Sequence, residues 1–487
     1  VATKAILAID EGTTNSKVVL VNAMGEIIAS GAAPVPIEHP KSGWVQQDAN
    51  EIWSATKLAI KSCLAKANDI EIVGLGISNQ RESILIWDRK TGTPLGPIIS
   101  WQCRRTAAKC DALRQDGYEP NVIAKTGLPL DPMFPPTKVA WLLENHGKDT
   151  ADICVGTVDS WLIWKLSGGK THASDRSNAA RTQLFNLADG QWDKELCALF
   201  GIDIDTLPAV YDSSHIFGET HATGVLPDGI PIASAIGDSH AALFGHGAFH
   251  DGDGKITFGT GSSVMTTLPE FITPPDGITT TIAWSLNGRS TYAFEGNILV
   301  SAAIFPWAAD MLGLSGVEEL IDLAQTVEDS DSVCLVPAHV GLGSPHWASQ
   351  ARGLVSGLSF NSKPAHMARA ATDSVAHQVA DVLEVIKHTE RCIGRLFIDG
   401  GPSNNKFLMQ CVANSISHSI IPCRNTEASA LGAAHLAGLS TGFWPNLEAV
   451  ASLASHGTPY KPKMPAEKLL SQRTAWREAV ARTVLRV

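Results

Sequence analysis

Three stretches of this 487-residue chain place reactive residue types at turns that follow apolar runs. In the first, Ala5 to Ile9 leads into Asp10, Glu11, Gly12, Thr13, Thr14, Asn15, Ser16 and Lys17, and a second run, Val18 to Val21, follows. The pattern predicts a β-hairpin whose tip holds a carboxylate, a glycine and two threonines. Backbone N–H groups and hydroxyls of such a turn can cradle phosphate oxygens, and the carboxylate can hold Mg2+ through water. An ordinary polar hairpin tip has the same composition, so the turn alone does not decide. In the second stretch, Lys255 to Phe258 runs into Gly259, Thr260, Gly261, Ser262 and Ser263, then Val264 to Thr267. A similar turn thus recurs in the other half. In the third, the strand-like Ile230 to Ile236 delivers Gly237, Asp238, Ser239 and His240 ahead of the helix-forming Ala241 to Phe244. A carboxylate there can accept the proton of a substrate hydroxyl during phosphoryl transfer. The commoner role for Asp at such a position is to cap the helix.

Two further turns end predicted strands. Ile70 to Ser78 delivers Asn79, Gln80, Arg81 and Glu82, an adjacent donor and acceptor suited to polyol hydroxyls, or else a surface pair worth little. Leu396 to Asp399 ends in Gly400 and Gly401, which with Asn404 could surround a nucleotide's sugar and base or form a plain tight turn. Strand ends are where open α/β sheets carry their sites, and glycine lets backbone approach a ligand closely. Neither a P-loop nor a Rossmann glycine pattern is present. His339, His346 and His366 are spaced too irregularly for a metal-ligand pattern, and Trp141, Trp161 and Trp164 read as core.

The elements that must position these turns are an α/β layer, used twice. After the hairpin a third strand is expected over Glu26 to Ser30. Ala49 to Lys66 then carries Ile52, Ala55, Ala59, Ile60, Cys63 and Leu64 at helical spacing. In the second half, a helix is expected over Ile298 to Leu312, a strand over Ser332 to Pro337 and a long helix over Pro364 to His388. The last twenty or so residues read as a surface helix. The glycine-rich stretch 245–254 marks the expected boundary, giving domains 1–246 and 247–487.

Composition bounds the function. The chain is too long for one hydrophobic core, which agrees with two domains. A net charge of −11 argues against a general nucleic-acid or anionic-membrane surface. Nine cysteines without a C-x-x-C pair read as free thiols, neither a disulfide framework nor a zinc site. The apolar start stops at Asp10, too short for a signal-peptide core, and no apolar run approaches a membrane span. The expectation is a soluble protein of a reducing compartment, the cytoplasm.

Together these segments closely resemble the FGGY family of carbohydrate kinases, and within it the glycerol kinase branch, over nearly the whole chain. The resemblance rests on Ile9 to Thr14, Ser78 to Glu82, Trp101 to Thr106, Gly156 to Leu162, Gly237-Asp238, Phe258 to Gly261 and Asp399 to Gly401. The family's first signature stands at Met133 to Leu142. Its second stands around Gly353 to Asp373, with Thr372 where an apolar residue is usual. The resemblance implies two actin- and hexokinase-like (ribonuclease H-like) α/β domains, with ATP and a small polyol or sugar meeting in the cleft between them. It implies Asp238 as general base and Asp10 on the Mg2+ side, through water. Thr13, Thr14, Asn15, Lys17, Gly259 and Thr260 would lie by the ATP phosphates, and Gly400, Gly401 and Asn404 near adenosine. Arg81, Glu82, Trp101, Met133, Asp238, Ser239 and Ser263 would line the acceptor pocket, and homo-dimers or homo-tetramers would be usual.

Departures from the pattern gather in that pocket. Met133 stands where a hydroxyl-binding tyrosine is usual, Ser239 where glutamine follows the catalytic aspartate, and Ser263 where an aromatic packs on the glycerol carbons. Lost pairing and packing groups should weaken glycerol binding, and the extra room suggests a tetritol, a pentitol or a ketose. On the nucleotide side Pro306 replaces a glutamine, Ala348 an aspartate, and Lys17 an arginine with its charge kept. The leading expectation is an ATP- and Mg2+-dependent kinase of a small polyol or sugar. The alternative is a non-catalytic sensor on the same fold, against which stand Asp10, Thr13, Asp238, Gly259 and Thr260 retained together.

Overall fold

In a computed structural model that describes residues 2–146 and 152–485, both halves of the chain are built on one sheet plan. The first sheet has six strands in the spatial order Ser214–Glu219, Pro231–Gly237, Ile70–Asn79, Thr3–Glu11, Asn15–Asn22 and Ile27–Pro34. Its three N-terminal strands form an antiparallel meander, while Ile70–Asn79 and Pro231–Gly237 lie parallel to Thr3–Glu11. The second sheet repeats the plan. Gly254–Phe258, Ser262–Leu268 and Arg289–Ile298 form the meander, Leu396–Asp399 and Ile420–Pro422 add the parallel strands, and Thr279–Leu286 takes the edge.

The unbroken apolar run Ala5 to Ile9 follows from burial on both faces. Ala5, Leu7 and Ile9 share a core with Ile52, Ala55 and Ala59 of the helix Ala49–Leu64, whose N-terminus Asp48 caps. Ile6 and Ala8 face the opposite way, into a core with Ala430, Ala433 and Ala437 of the helix Ala428–Ser440. That second core holds residues from both halves, among them Phe244, Trp284 and Phe397. Small residues allow the close approach: a Cβ on Gly432 would collide with the backbone carbonyl oxygen of Ala241, in the helix Asp238–Gly245.

Three sequence expectations shift. The helix expected over Ile298 to Leu312 spans only Ile304–Met311. Tyr292 to Ile298 instead pair with Ser262–Leu268, and the N–H groups of Ser301 and Ala302 bond back to Thr260 and Gly259. The C-terminal helix, Ala466–Val484, is no mere surface helix, for it buries Arg473, Trp476, Ala479 and Val480. Its anchor is Asp381 on the long helix Pro364–Lys387, which accepts from Trp476 Nε1 at 2.8 Å and Arg473 Nη2 at 2.5 Å. A four-stranded sheet of Gln46–Gln47, Ile98–Ile99, Ile84–Asp88 and Ile153–Thr157 was not anticipated, since two of its strands are two residues long. No helix among the described residues is long and apolar enough to cross a membrane.

The core shared by the halves carries a pH-sensitive group. His435 is buried with neither ring nitrogen hydrogen-bonded, edge-on to Trp444 at 5.4 Å, and burial pushes its pKa down to about 4. The unfolded chain takes up a proton on this ring near pH 6.5 and the folded chain does not. Its contribution is therefore complete above pH 6.5 and is lost as pH falls toward 4, by up to about 3 kcal/mol. Other buried histidines act in the same direction, so His435→Leu should make the fall in Tm between pH 6.5 and 4 shallower without abolishing it. Thermal melts across that range test this, and parallel Tm-versus-pH curves would contradict it.

Candidate active site

The turns singled out by sequence converge because the strands that carry them are in register. Asp10 pairs with Ser78 and Glu11 with Asn79, while Ile236 and Gly237 pair with the same two residues from the other side. The hairpin tip, the Asn79–Glu82 turn and Asp238 thus leave one end of one sheet. In the second sheet Thr257 pairs with Asp399 and Phe258 with Ser262, which sets the two glycine turns side by side. Contacts join the two clusters: Lys17 Nζ lies 3.1 Å from Glu427 Oε2, Ser429 Oγ donates to the Asp238 carbonyl at 3.0 Å, and Arg81 reaches Glu295.

Asp238 opens the helix Asp238–Gly245 but does not cap it; Gly237 holds the cap position. Its Oδ1 accepts from Ser239 N at 2.6 Å and faces Arg81 Nε at 3.4 Å. Burial raises its pKa above the usual carboxylate range, and the Arg81 charge opposes that rise. Arg81 and Glu82 are no surface pair. Arg81 Nη2 donates to Glu295 Oε1 at 2.8 Å, while Arg181 Nε donates to Glu82 Oε1 at 2.6 Å and Arg181 Nη1 lies 2.9 Å from Glu295 Oε2. Burial alone would raise the Glu295 pKa, but Arg181 and Arg81 together hold it far below the usual value. Glu82 adopts a left-handed backbone, with φ at 61°, which turns the chain at the strand end.

The departures from the family pattern line the same region. Ser263 Oγ sits 3.5 Å from Glu295 Oε1, and Ser239 Oγ sits 3.5 Å from Met265 Sδ. The Ser263 contact is long, and a hydroxyl that donates once can still accept, so both serines keep capacity for a ligand. Met133 is fixed through its backbone: its N–H donates to Asp131 Oδ1 at 2.8 Å and its carbonyl accepts from Lys138 Nζ at 2.7 Å. Lys138 also donates to the Ser100 carbonyl at 2.9 Å, and burial pushes its pKa down to about 7. Trp101, next in chain, is partly exposed and donates from Nε1 to Thr13 Oγ1 at 3.0 Å, tying the acceptor side to the hairpin tip.

The glycine and hydroxyl turns of both halves are open to solvent. Thr14, Asn15, Thr260, Gly400, Gly401 and Asn404 are exposed, and Gly12, Thr13, Lys17 and Gly259 partly so. Gly400 has φ at 89°, and a Cβ there would collide with the Phe258 carbonyl oxygen, so the turn can lie against the strand end only as glycine. Asp399 lies 2.5 Å from His246 Nε2; burial would raise its pKa, yet that contact and Lys255 bring it down to about 2. Asp10 accepts from Ser78 Oγ at 2.9 Å. Burial, then the charge of Asp238, push its pKa up to about 7 against the opposing pull of Ser78 and Lys17. Among the described residues no three His, Cys, Asp or Glu side chains converge as a metal site, and all nine cysteines are free.

Arg181, Glu295 and Glu427 escaped the sequence reading because their partners lie far away in the chain. A charged residue in an otherwise apolar or hydroxyl-rich run, such as Glu295 among Tyr292 to Ile298, was the available signal.

Residues 5–245 match the family model for the N-terminal domain of the FGGY family of carbohydrate kinases, and residues 254–441 match that for its C-terminal domain. The chain belongs to the FGGY family. Among its FGGY relatives, an apulose kinase of Pectobacterium atrosepticum is 44% identical, with 99% of each chain covered. A glycerol kinase of Rhodopirellula baltica is 42% identical, covering 99% of this chain and 91% of that protein. The structure superposes on Plasmodium falciparum glycerol kinase with ADP at a TM-score of 0.94 and 29% identity, covering 99% and 98% of the two chains. The protein is therefore a two-domain α/β, ATP-dependent carbohydrate kinase of glycerol kinase-like type, acting on a small sugar or polyol.

Proposed function

We propose that Asp238 is the general base of this kinase and that the acceptor is a polyol or ketose larger than glycerol. The observation that carries the reading is the position of Asp238: at a strand end, beside Arg81, with the hairpin tip leaving the same end of the sheet beyond the intervening strand Ile70–Asn79. In this reading Arg81 and Glu82 hold acceptor hydroxyls, and Trp101 and Met133 wall the pocket. Asp238 takes the proton as the hydroxyl oxygen attacks the γ-phosphorus. Thr13, Thr14, Asn15, Lys17, Gly259 and Thr260 orient the phosphates, and Gly400, Gly401 and Asn404 receive adenosine. The division falls at 246/247, closure of one domain on the other excludes water, and ATP use and free thiols suit the cytoplasm.

The residues present fit Mg2+. Asp10 turns one oxygen to Ser78, and Asp238 brings a second carboxylate into its electrostatic reach, a pair whose repulsion a divalent cation would relieve. Bound there through Asp10, the ion would offset phosphate charge.

Pocket chemistry favours the larger acceptor. Met133, Ser239 and Ser263 offer neither the phenol nor the ring of a glycerol site, while two serine hydroxyls that can still accept a bond, on smaller side chains, suit further carbons and hydroxyls. The likeness to an apulose kinase puts a ketose beside tetritols and pentitols as candidates. ADP release measured over glycerol, tetritols, pentitols and ketoses including apulose should give the highest kcat/KM on an acceptor longer than glycerol. A clear preference for glycerol would overturn the substrate assignment, and no ADP release on any acceptor would overturn the catalytic one. Homo-dimers or homo-tetramers are the assembly that the family resemblance suggests.

A further inference from the structure

Two charges of the acceptor region have no part in the chemistry above. Glu295 lies on the strand Arg289–Ile298, in the half of the chain that carries the nucleotide turns, yet it is fully buried and both its ion pairs are with arginines of the other half. Arg181 is fully buried too, over the Phe134 ring at 5.3 Å, and its guanidinium spans Glu82 and Glu295. The result is a ring of charges: Arg81 to Glu295, Glu295 to Arg181, Arg181 to Glu82, and Glu82 back to Arg81 at 4.0 Å. Asp238 hangs from Arg81 at 3.4 Å, a looser contact than the 2.8 Å between Arg81 and Glu295.

We propose that Glu295 and Arg181 are positioning residues for the acceptor site, holding Arg81 and Glu82 in their binding orientation and keeping Arg81 from closing onto Asp238. The inference rests on the reading that Arg81 and Glu82 bind the acceptor and Asp238 takes its proton. Without Glu295, the carboxylates left near Arg81 are Asp238 and Glu82, the latter 4.0 Å from Nε. The guanidinium then swings to Asp238 and ties up the group that must receive the proton. Without Arg181, Glu82 loses its 2.6 Å partner and its strained left-handed backbone loses the tie that fixes the side chain. Unmatched polar atoms gather in this network: Arg81 Nη1, Arg181 Nη1 and Nη2, Glu295 Oε2 and both His240 ring nitrogens are buried without a hydrogen-bond partner, the Arg181–Glu295 contact being an ion pair only.

The test is Glu295→Gln, read as KM for the best acceptor, KM for ATP and ADP affinity by titration. The expected result is a drop in kcat/KM for the acceptor of about tenfold or more, with ADP affinity within about twofold of the parent, although Glu295 belongs to the nucleotide half. An unchanged acceptor kcat/KM, or ADP affinity falling in parallel, overturns the proposal. The charge-balanced double variant Arg181→Gln/Glu295→Gln should show the same split where the single one fails to fold. Arg181→Lys keeps the charge but cannot fork to two carboxylates, and should raise the acceptor KM in the same sense. An Asp238→Asn enzyme that stays active would refute the base assignment instead, so the two failures are told apart.

Discussion

Asp238→Asn should bind ADP as the parent does and lose phosphoryl transfer by roughly a hundred- to ten-thousandfold in kcat, the range that a positioned general base contributes. The substitution removes only the proton-accepting oxygen. Asparagine Oδ1 can still accept from Ser239 N, which donates to Asp238 Oδ1 at 2.6 Å, and Arg81 keeps its 2.8 Å bond to Glu295. The nucleotide turns lie on other strands, so their geometry is untouched. Burial favours the neutral form of Asp238, and the Arg81 charge opposes that effect. A titration with ADP and a single-turnover measurement with the preferred acceptor separate binding from chemistry. Full turnover in this variant would remove Asp238 from the mechanism.

Much of this site was legible because its residues stand at punctuation. Asp10 to Thr14, Gly237 to His240, Gly259 to Ser263 and Asp399 to Gly401 each interrupt an apolar run with glycine, hydroxyl or carboxylate, and each run proved to be a strand that ends at or within the turn. The two-layer plan was legible for the same reason, with Ile70–Asn79 and Pro364–Lys387 standing close to where periodicity puts them. What escaped the sequence is long-range. Arg81 and Glu295 are 214 positions apart and Lys17 and Glu427 are 410 apart, so nothing in either local pattern names the partner. Tertiary pairing also overrode local preference at Ile298, where a strand partner won residues that a helical pattern claimed. Asp238 could not be told from a helix cap in sequence, since both roles place Asp between a strand and a helix. The structure separates them, because Gly237 holds the cap position and the Asp238 carboxylate accepts from the adjacent Ser239 N–H rather than from the second or third N–H beyond it, as a cap would.

The second large effect concerns what the kinase phosphorylates. Restoring the ring and phenol of a glycerol site, as Met133→Tyr with Ser263→Phe, should move the ratio of kcat/KM for glycerol to that for a longer polyol or ketose at least tenfold toward glycerol, and toward a hundredfold if the two act independently, on the order expected for pocket-filling groups. Ser263 lies beside Glu295 at 3.5 Å, so a phenyl ring there takes up the space next to the buried carboxylate and shortens the pocket. Met133 is held through its backbone by Asp131 and Lys138, so a tyrosine can replace the side chain without moving the chain. The order of the singles carries information. Ser263→Phe alone should cost the longer acceptor more than it helps glycerol, because exclusion needs only volume. Met133→Tyr alone should help glycerol more, because a phenol adds a hydrogen bond and little bulk in that direction. Steady-state kinetics on both acceptors for the two singles and the double decide it. A ratio that stays fixed would mean that selectivity is set elsewhere, with Ser239 and its contact to Met265 as the next positions to change.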